Sequence, residues 1–237
     1  MNKILINPSA VTRVLLIIAG ILVACSFVGQ LSKFVLGHGQ VMGLVDMFDL
    51  DGERNIPTFF SQVIMLITAL LLAVIFVFNK KRNEPYTAKW AVLSAGFLFM
   101  SFDEGMVIHE KLGPYCRALL TALFNTDHYG FFRFAWIIPG SILVIFLVVF
   151  FVKFLLYLPA KTRRSFLLAG FIYVGGVIGI ESVSGKYFES NGYSLIYSII
   201  STVEESLEFL GIILFIRALL IYIVENFKEI VFEFDNG

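Results

Sequence analysis

The stretch VLLIIAGILVACSFVGQLSKFVL, residues 14–36, decides the class of fold. A helix that crosses the apolar core of a bilayer needs about 20 consecutive apolar residues, and this run is long enough. Further runs of the same kind follow, with short connections between them. The sequence therefore predicts an all-α, polytopic membrane protein: one domain over residues 1–237, built as a compact bundle of about six transmembrane helices. The predicted spans cover residues 14–36, 58–78, 90–108, 131–158, 165–183 and 198–224.

The composition of the 237-residue chain supports the same class. Hydrophobic residues make up 58% and charged residues 15%, and the mean hydropathy is +0.86. A water-soluble domain of this length needs more polar surface. The zero net charge argues against a nucleic-acid partner. The bilayer is the expected partner, together with another membrane protein or a second copy of the chain. Cys25 and Cys116 show no metal or disulfide spacing.

Basic residues predict the orientation of the spans. Lysine and arginine gather in the N-terminal segment, at residues 80–82 and in the fourth connection, and such segments face the cytoplasm. No A-x-A-like cleavage site follows the first run, so we expect that span to be retained. Both termini are therefore predicted to be cytoplasmic. The connections at Asp49, Pro114 and Ser190 are predicted to lie outside, which in a bacterial inner membrane is the periplasmic side.

Acidic side chains gather at the outer ends of three predicted spans. The third span ends in SFDEGMVIHE, the fifth reaches Glu181, and the sixth begins with STVEESLEFLG. On a straight helix Asp103 and Glu110 point within about 20° of each other, and a glycine such as Gly211 lets a neighbouring helix approach closely. We expect these faces to meet inside the bundle. The candidate metal ligands are Asp103, Glu104, His109, Glu110, Glu181, Glu204, Glu205 and Glu208.

So many acidic groups inside a membrane need compensation. A charge near the bilayer centre costs roughly 3 kcal/mol, and neighbouring carboxylates disfavour one another's ionisation. The remedies are protonation, basic partners or a bound cation. The nearby bases Lys111, Arg133 and Lys186 are too few for full pairing, so we expect a cation or shared protons to supply the rest. The alternative interpretation is a solvated helix end at the headgroup level, with His109 as a packing histidine.

The donor set indicates which metals fit. Carboxylates with one imidazole suit Zn, Mn or Fe better than Cu(I), so a divalent metal is the expected cofactor. No motif identifies it, because the sequence lacks both the paired Glu-x-x-His of di-iron proteins and the H-E-x-x-H of zinc proteases. The first connection imitates part of a calcium loop, but the last ligand position falls on Thr58, which excludes an EF-hand.

Three segments carry a resemblance. FDLDGERNIPTFFS (residues 48–61), FLFMSFDEGMVIHEKL (97–112) and TVEESLEFLGIILF (202–215) resemble segments of a family of uncharacterised bacterial multi-pass membrane proteins. The resemblance implies an architecture and no activity. It also groups NIPT with the acidic motifs, and Asn55 and Pro57 suit a helix start as N-cap and early proline.

Three functions remain open at this point. The first is an ion-binding sensor or regulator, or an ion-handling module, because intramembrane carboxylates mark ion and proton sites. The second is a metal- or carboxylate-dependent enzyme acting on a lipid or isoprenoid, with Asp103, Glu205 and His109 as its catalytic groups. The third is a structural or assembly subunit whose polar cluster holds helices together. We place the three in that order.

Cavities are expected to separate the first two functions. An ion-binding module should show a small aqueous vestibule that opens to the periplasm. An enzyme for lipids should instead show a long apolar cavity that opens laterally near Asp103 and Glu205, and such a cavity ending at these carboxylates would overturn the order of the functions. In either case we expect Asp103, His109, Glu205 and Glu208 to share one site, with Glu181 beside them.

Overall fold

A computed structural model describes residues 7–227, which form helices joined by short turns, without a strand in that range. Five helical segments are long and apolar enough to cross a membrane, and a bent pair of helices brings the number to six. The all-α, multi-pass fold is therefore confirmed. The helices are α1 Pro8–Phe34, α2 Leu44–Phe48, α3 Ile56–Lys81, α4 Thr87–Met106, α5 Ile108–Phe124, α6 Ile137–Tyr157, α7 Ala160–Val174, α8 Glu181–Asn191 and α9 Leu195–Asn226.

Capping residues, rather than hydropathy, set where several helices begin. The Asn55 side chain accepts a hydrogen bond from the Thr58 backbone N–H at 3.1 Å, and Pro57 occupies the first turn of α3, as expected from NIPT. Ser194 caps α9 in the same way. Because a cap satisfies backbone donors outside the apolar run, α3 and α9 both begin before the predicted spans at 58 and 198.

The third predicted span is wrong as a continuous helix over 90–108. The chain adopts a left-handed conformation at Val107 (φ 54°, ψ 46°), and α4 and α5 meet at a bend of 78°. Asp103 and Glu110 therefore do not share one helix face. The break is stabilised locally, because the Asp103 carboxylate accepts the His109 backbone N–H at 2.9 Å, a donor that the break deprives of its helical partner.

The other corrections concern segments of mixed polarity. The connection around Pro114 and Cys116, predicted as a loop, forms α5. The fourth span begins at Ile137 rather than at residue 131. The fifth continues past residue 183, because the π-helical segment Gly175–Ile180 joins α7 to α8 without a turn, and Ser190, predicted in a connection, therefore lies in α8.

Helices α4 and α9 run antiparallel and meet through large aromatic side chains rather than by a close approach of their backbones. The rings of Trp90 and Tyr222 lie 5.0 Å apart, and those of Phe97 and Phe215 are stacked at 5.2 Å. About two helical turns separate these pairs on each helix. The same step again brings Glu104 of α4 level with Glu208 of α9.

The two ends of the bundle differ in charge. At one end Lys161 pairs with Glu225, and Arg82 donates to the Asn226 carbonyl at 2.9 Å. At the other end Tyr197 of α9 donates to Asp51 of the first connection at 3.2 Å. Acidic segments of the first and fifth connections thus lie at one end, and basic segments lie at the other. Which end faces the cytoplasm stays a prediction.

Candidate functional site

The bend between α4 and α5 pairs an imidazole with a carboxylate. His109 Nδ1 lies 2.8 Å from Asp103 Oδ2, while Asp103 Oδ1 accepts the His109 backbone N–H. Both side chains are partly buried, with 27% and 20% exposed. This contact fixes the imidazole ring, and with an ionised Asp103 it places the ring proton on Nδ1 and leaves Nε2 as an acceptor.

A tryptophan links this pair to α8. The Trp136 ring packs against His109 with centroids 4.8 Å apart, and its Nε1–H donates to Glu181 Oε1 at 2.7 Å. The sequence predictions omitted Trp136. The available signal was its rarity, since the chain has only two tryptophans and this one stands beside Arg133 at a predicted outer helix start.

The π-helical segment brings α9 carboxylates close to α7. A side chain at Gly176 would place its Cβ 3.0 Å from the Glu204 carbonyl oxygen and 3.4 Å from Glu208 Cγ, so the glycine permits the contact. Glu204 is buried and its Oε2 accepts from Ser184 Oγ at 3.2 Å. π-Helical turns occur often at functional sites.

Glu104, Glu205 and Glu208 form the centre of the acidic site. Among charged neighbours, Glu208 interacts most strongly with Glu104, and Glu205 with Glu208. All three are only partly accessible. Carboxylates that close repel one another when ionised, so the group favours protons or a cation.

Tyr173 of α7 borders the same centre. It interacts electrostatically with Glu208 and Glu104. A Cβ at Gly211 would lie 2.7 Å from Tyr173 Cβ and 2.8 Å from its backbone nitrogen, which confirms that Gly211 permits a close helix approach. Tyr173 was missed at the sequence level, because one tyrosine within an apolar run carries no distinguishing signal.

The predicted basic neighbours lie elsewhere. Lys111 donates to the Met106 carbonyl at 2.7 Å, Lys186 lies over the Phe131 ring, and Arg133 lies over the Phe188 ring. Within residues 7–227 the ion pairs closer than 4.0 Å are His109–Asp103 and Lys161–Glu225. The described bases therefore leave the carboxylates of the central group without a lysine or arginine partner.

The first connection folds over the entrance of the site. Asn55 Nδ2 donates to the Asp49 carbonyl at 2.6 Å, and the Asp51 backbone N–H donates to Asp49 Oδ1 at 3.2 Å, which holds the loop closed. Withdrawal from water raises the pKa of Asp51, with Asp49 adding to the effect. The same withdrawal, with the carboxylates of Glu104 and Glu110, raises the pKa of Glu53 to about 7. Sequence reasoning did not assign either loop residue to the site.

Two cavities lie near the acidic centre, one polar and one apolar, and none of Glu104, Glu205 and Glu208 lines either of them. A vestibule of about 530 Å³ is lined by Glu53, Arg54, Val107, Glu110 and Lys111, and here Glu110 is exposed rather than inside the cluster. A groove of about 670 Å³ runs between α4, α6, α7 and α9, with walls that are almost entirely apolar. Tyr173 and Gly211 line the end of the groove that lies towards the acidic centre. The vestibule is polar, whereas the groove is apolar and has no carboxylate among the described residues of its lining.

A metal-ligand arrangement is not formed by the described side chains. Within residues 7–227, no three histidine, cysteine, aspartate or glutamate side chains converge closely enough to hold a metal ion. The donor types, carboxylates and one imidazole, still suit Zn, Mn or Fe. The divalent metal stays a prediction.

Comparison with known proteins identifies the family. No curated protein and no solved structure shows a significant match to the sequence. The family model described as "Domain of unknown function (DUF8692)" matches residues 14–223, which include all the candidate site residues. This agrees with the expected family without an assigned activity, whereas its motifs and a bacterial source stay predictions. The match covers most of the chain, and the protein belongs to this family.

Proposed function

We propose that the protein binds a cation, either a metal ion or protons, at the acidic centre and acts as an ion-binding sensor or ion-handling module. The supporting observation is that Glu104, Glu205 and Glu208 interact electrostatically with one another and have no lysine or arginine partner among the described residues. Each charge at membrane depth costs roughly 3 kcal/mol if left alone. A bound cation or shared protons remove that cost.

Sensing or regulation fits the arrangement better than conduction. The acidic centre lies near a polar vestibule at one end of the bundle. Towards the other end the helices present apolar and aromatic side chains to one another, among them Trp90, Phe154, Phe166 and Phe215. A conducting path needs polar groups along its whole length. A site open at one end suits a cation that binds and leaves from the same side.

Metal analysis and ligand-dependent melting test the proposal. We expect the detergent-purified full-length protein to contain Zn, Mn or Fe, or to melt at a higher temperature when one of them is added. Glu208→Gln should abolish the added-metal response, while Glu225→Gln, at the opposite end, should keep it. A ligand at 100 times its dissociation constant adds about 2.7 kcal/mol of stability.

The proton form of the proposal has its own measurement. If no metal is present and none stabilises the protein, we expect acidification to stabilise the parent protein more than the Glu208→Gln variant, because protonation relieves the repulsion among the carboxylates. Equal responses of the parent, Glu208→Gln and Glu225→Gln proteins to every metal and to pH would contradict the proposal and leave the structural-subunit interpretation.

A second candidate function is an enzyme acting on a lipid or isoprenoid. The Asp103–His109 pair favours it, because an imidazole oriented by a carboxylate is a common general base. The imidazole would take a proton from water, and Glu205 would give one to the leaving group. The test is the release of a water-soluble product from labelled membrane lipids by the parent protein. We expect His109→Asn and Glu205→Gln each to abolish that release.

A further inference from the structure

The apolar groove opens sideways towards the membrane. Its walls include Val148 of α6 and both Leu167 and Phe171 of α7, whose side chains are 61%, 53% and 78% exposed. Its inner end is bordered by Tyr173, which interacts with Glu208 and Glu104. Among the described residues, no carboxylate lines the groove itself. Gly175 at this end adjoins Gly176, where a Cβ would lie 3.4 Å from Glu208 Cγ, so a molecule in the groove has an apolar environment along its length and ends close to an acidic side chain.

We propose that the groove binds a single-chain membrane amphiphile with a cationic ammonium headgroup, the chain lying in the groove and the headgroup at the acidic centre. This inference rests on the proposed function, since the acidic centre that binds a metal ion or protons would here bind the ammonium group in their place. The groove volume of about 670 Å³ falls within the roughly 300–1,000 Å³ of ligand pockets. Along α7 and the π-helical segment that follows it, the lining from Phe166 to Ile178 extends ~18 Å at roughly 1.5 Å per residue, which suits one long chain.

Charge complementarity selects the headgroup. The described carboxylates outnumber their basic partners, so an anionic phosphate would be repelled and a positive group attracted. The Tyr173 ring borders this end of the groove, and the Trp136 ring lies beside His109. The faces of such rings attract ammonium groups. A zwitterionic phospholipid fits less well, because its phosphate would lie near the carboxylates.

Two glycines offer a direct test of the chain-binding part. Gly170 lines the groove, and a Cβ there meets nothing within 4 Å, so Gly170→Phe adds a bulky side chain to the groove wall at a position where its Cβ meets no clash. Gly20 on α1 is equally open and lies outside the groove, which makes Gly20→Phe the matched control. We expect Gly170→Phe to weaken binding of hexadecylamine by at least about tenfold, which corresponds to roughly 1.4 kcal/mol. The control should bind as the parent protein does.

The headgroup part is tested with three probes of equal chain length. Full-length protein in phosphatidylcholine nanodiscs is titrated with hexadecylamine, hexadecanol and hexadecyl phosphate, and binding is followed by native mass spectrometry. We expect the amine to bind at least about tenfold more tightly than either other probe. Glu208→Gln should reduce that preference, and ethylamine, which lacks the chain, should bind weakly.

The outcomes distinguish this inference from the function on which it rests. Equal binding of all three long probes, or equal binding to the Gly170→Phe and Gly20→Phe proteins, would overturn the amphiphile. If Glu208→Gln still abolished the metal or proton response, cation binding itself would stand. If the parent protein neither preferred the amine probe nor responded to metals or to pH, the amphiphile and the cation-binding proposal would both be overturned.

Discussion

The contact between α4 and α9 has two halves with opposite chemistry. In one half Trp90 faces Tyr222 and Phe97 stacks on Phe215, whereas two turns further on the same register brings Glu104 level with Glu208. Packing of large rings stabilises helix association inside a membrane by itself. Facing carboxylates do so only with protons or a cation. We therefore expect one half to maintain the fold and propose the other half as the cation-binding half.

Removing a ring from the aromatic half should have the largest effect on stability. Phe215 is buried and contacts both Phe97 and Phe166. We expect Phe215→Ala to lower the free energy of unfolding by about 3 kcal/mol or more, because a cavity remains. Phe99→Ala on α4 is the control, since that side chain is 58% exposed. If a denaturation titration gave the same loss of unfolding free energy for Phe215→Ala and Phe99→Ala, the aromatic half would not be the stabilising half.

Gly211 lies where the two halves meet, and a larger side chain there should have the next largest effect. In Gly211→Ala the new Cβ would approach the Tyr173 backbone nitrogen at 2.8 Å, so we expect a loss of about 1–3 kcal/mol from overpacking. Gly96→Ala on α4 meets nothing within 4 Å and should leave stability unchanged or raised. Thermal melts of the two variants give the comparison, and a shift of the same sign in both would refute the close approach.

The carboxylate half should show energetic coupling between helices. A double-mutant cycle of Glu104→Gln and Glu208→Gln should give a coupling of at least about 0.5 kcal/mol, as should the pair Asp103→Asn and Glu205→Gln. Glu104→Gln combined with Glu225→Gln, at opposite ends of the bundle, should be additive. Additivity in every cycle would dissolve the shared site.

The smallest effect is expected at the entrance. Glu53 holds its proton more tightly in the folded protein, with a pKa of about 7 against an ordinary value of 4.5. Its contribution to stability is therefore full below about 4.5 and is lost as pH rises through about 7. Between pH 5 and pH 8 the melting temperature of the Glu53→Gln variant should fall less than that of the parent protein. Asp127→Asn, an exposed change in another loop, should behave like the parent.

Much of the difference between the aromatic half and the carboxylate half could be predicted from the sequence. Apolar runs predicted the spans because the thickness of a bilayer fixes their length. The register of α4 and α9 also left a trace, since Trp90, Phe97 and Glu104 recur at the spacing of two turns. The same spacing recurs in α9 at Glu208, Phe215 and Tyr222, so the two patterns together predict which residues face each other.

The bend at Val107 was not accessible in the same way. A β-branched residue disfavours a left-handed backbone, so its type predicts the opposite conformation. The bend depends on Asp103 capping the His109 N–H, a contact between residues that a helix pattern places on one straight segment. Likewise, Trp136 and Tyr173 join the site through packing between distant segments, which hydropathy and residue spacing do not encode.

The π-helical segment also determines in which direction around the helix axis the side chains of α8 point. A π-turn holds one residue more than an α-turn, so α8 continues along the same path but starts at a different angle around its axis. That angle is what directs Glu181 towards Trp136 and Ser184 towards Glu204. A chain one residue shorter between Gly175 and Ile180 would keep its hydropathy and its length across the bilayer. It would nevertheless turn both side chains by about 100° and uncouple α8 from its partners.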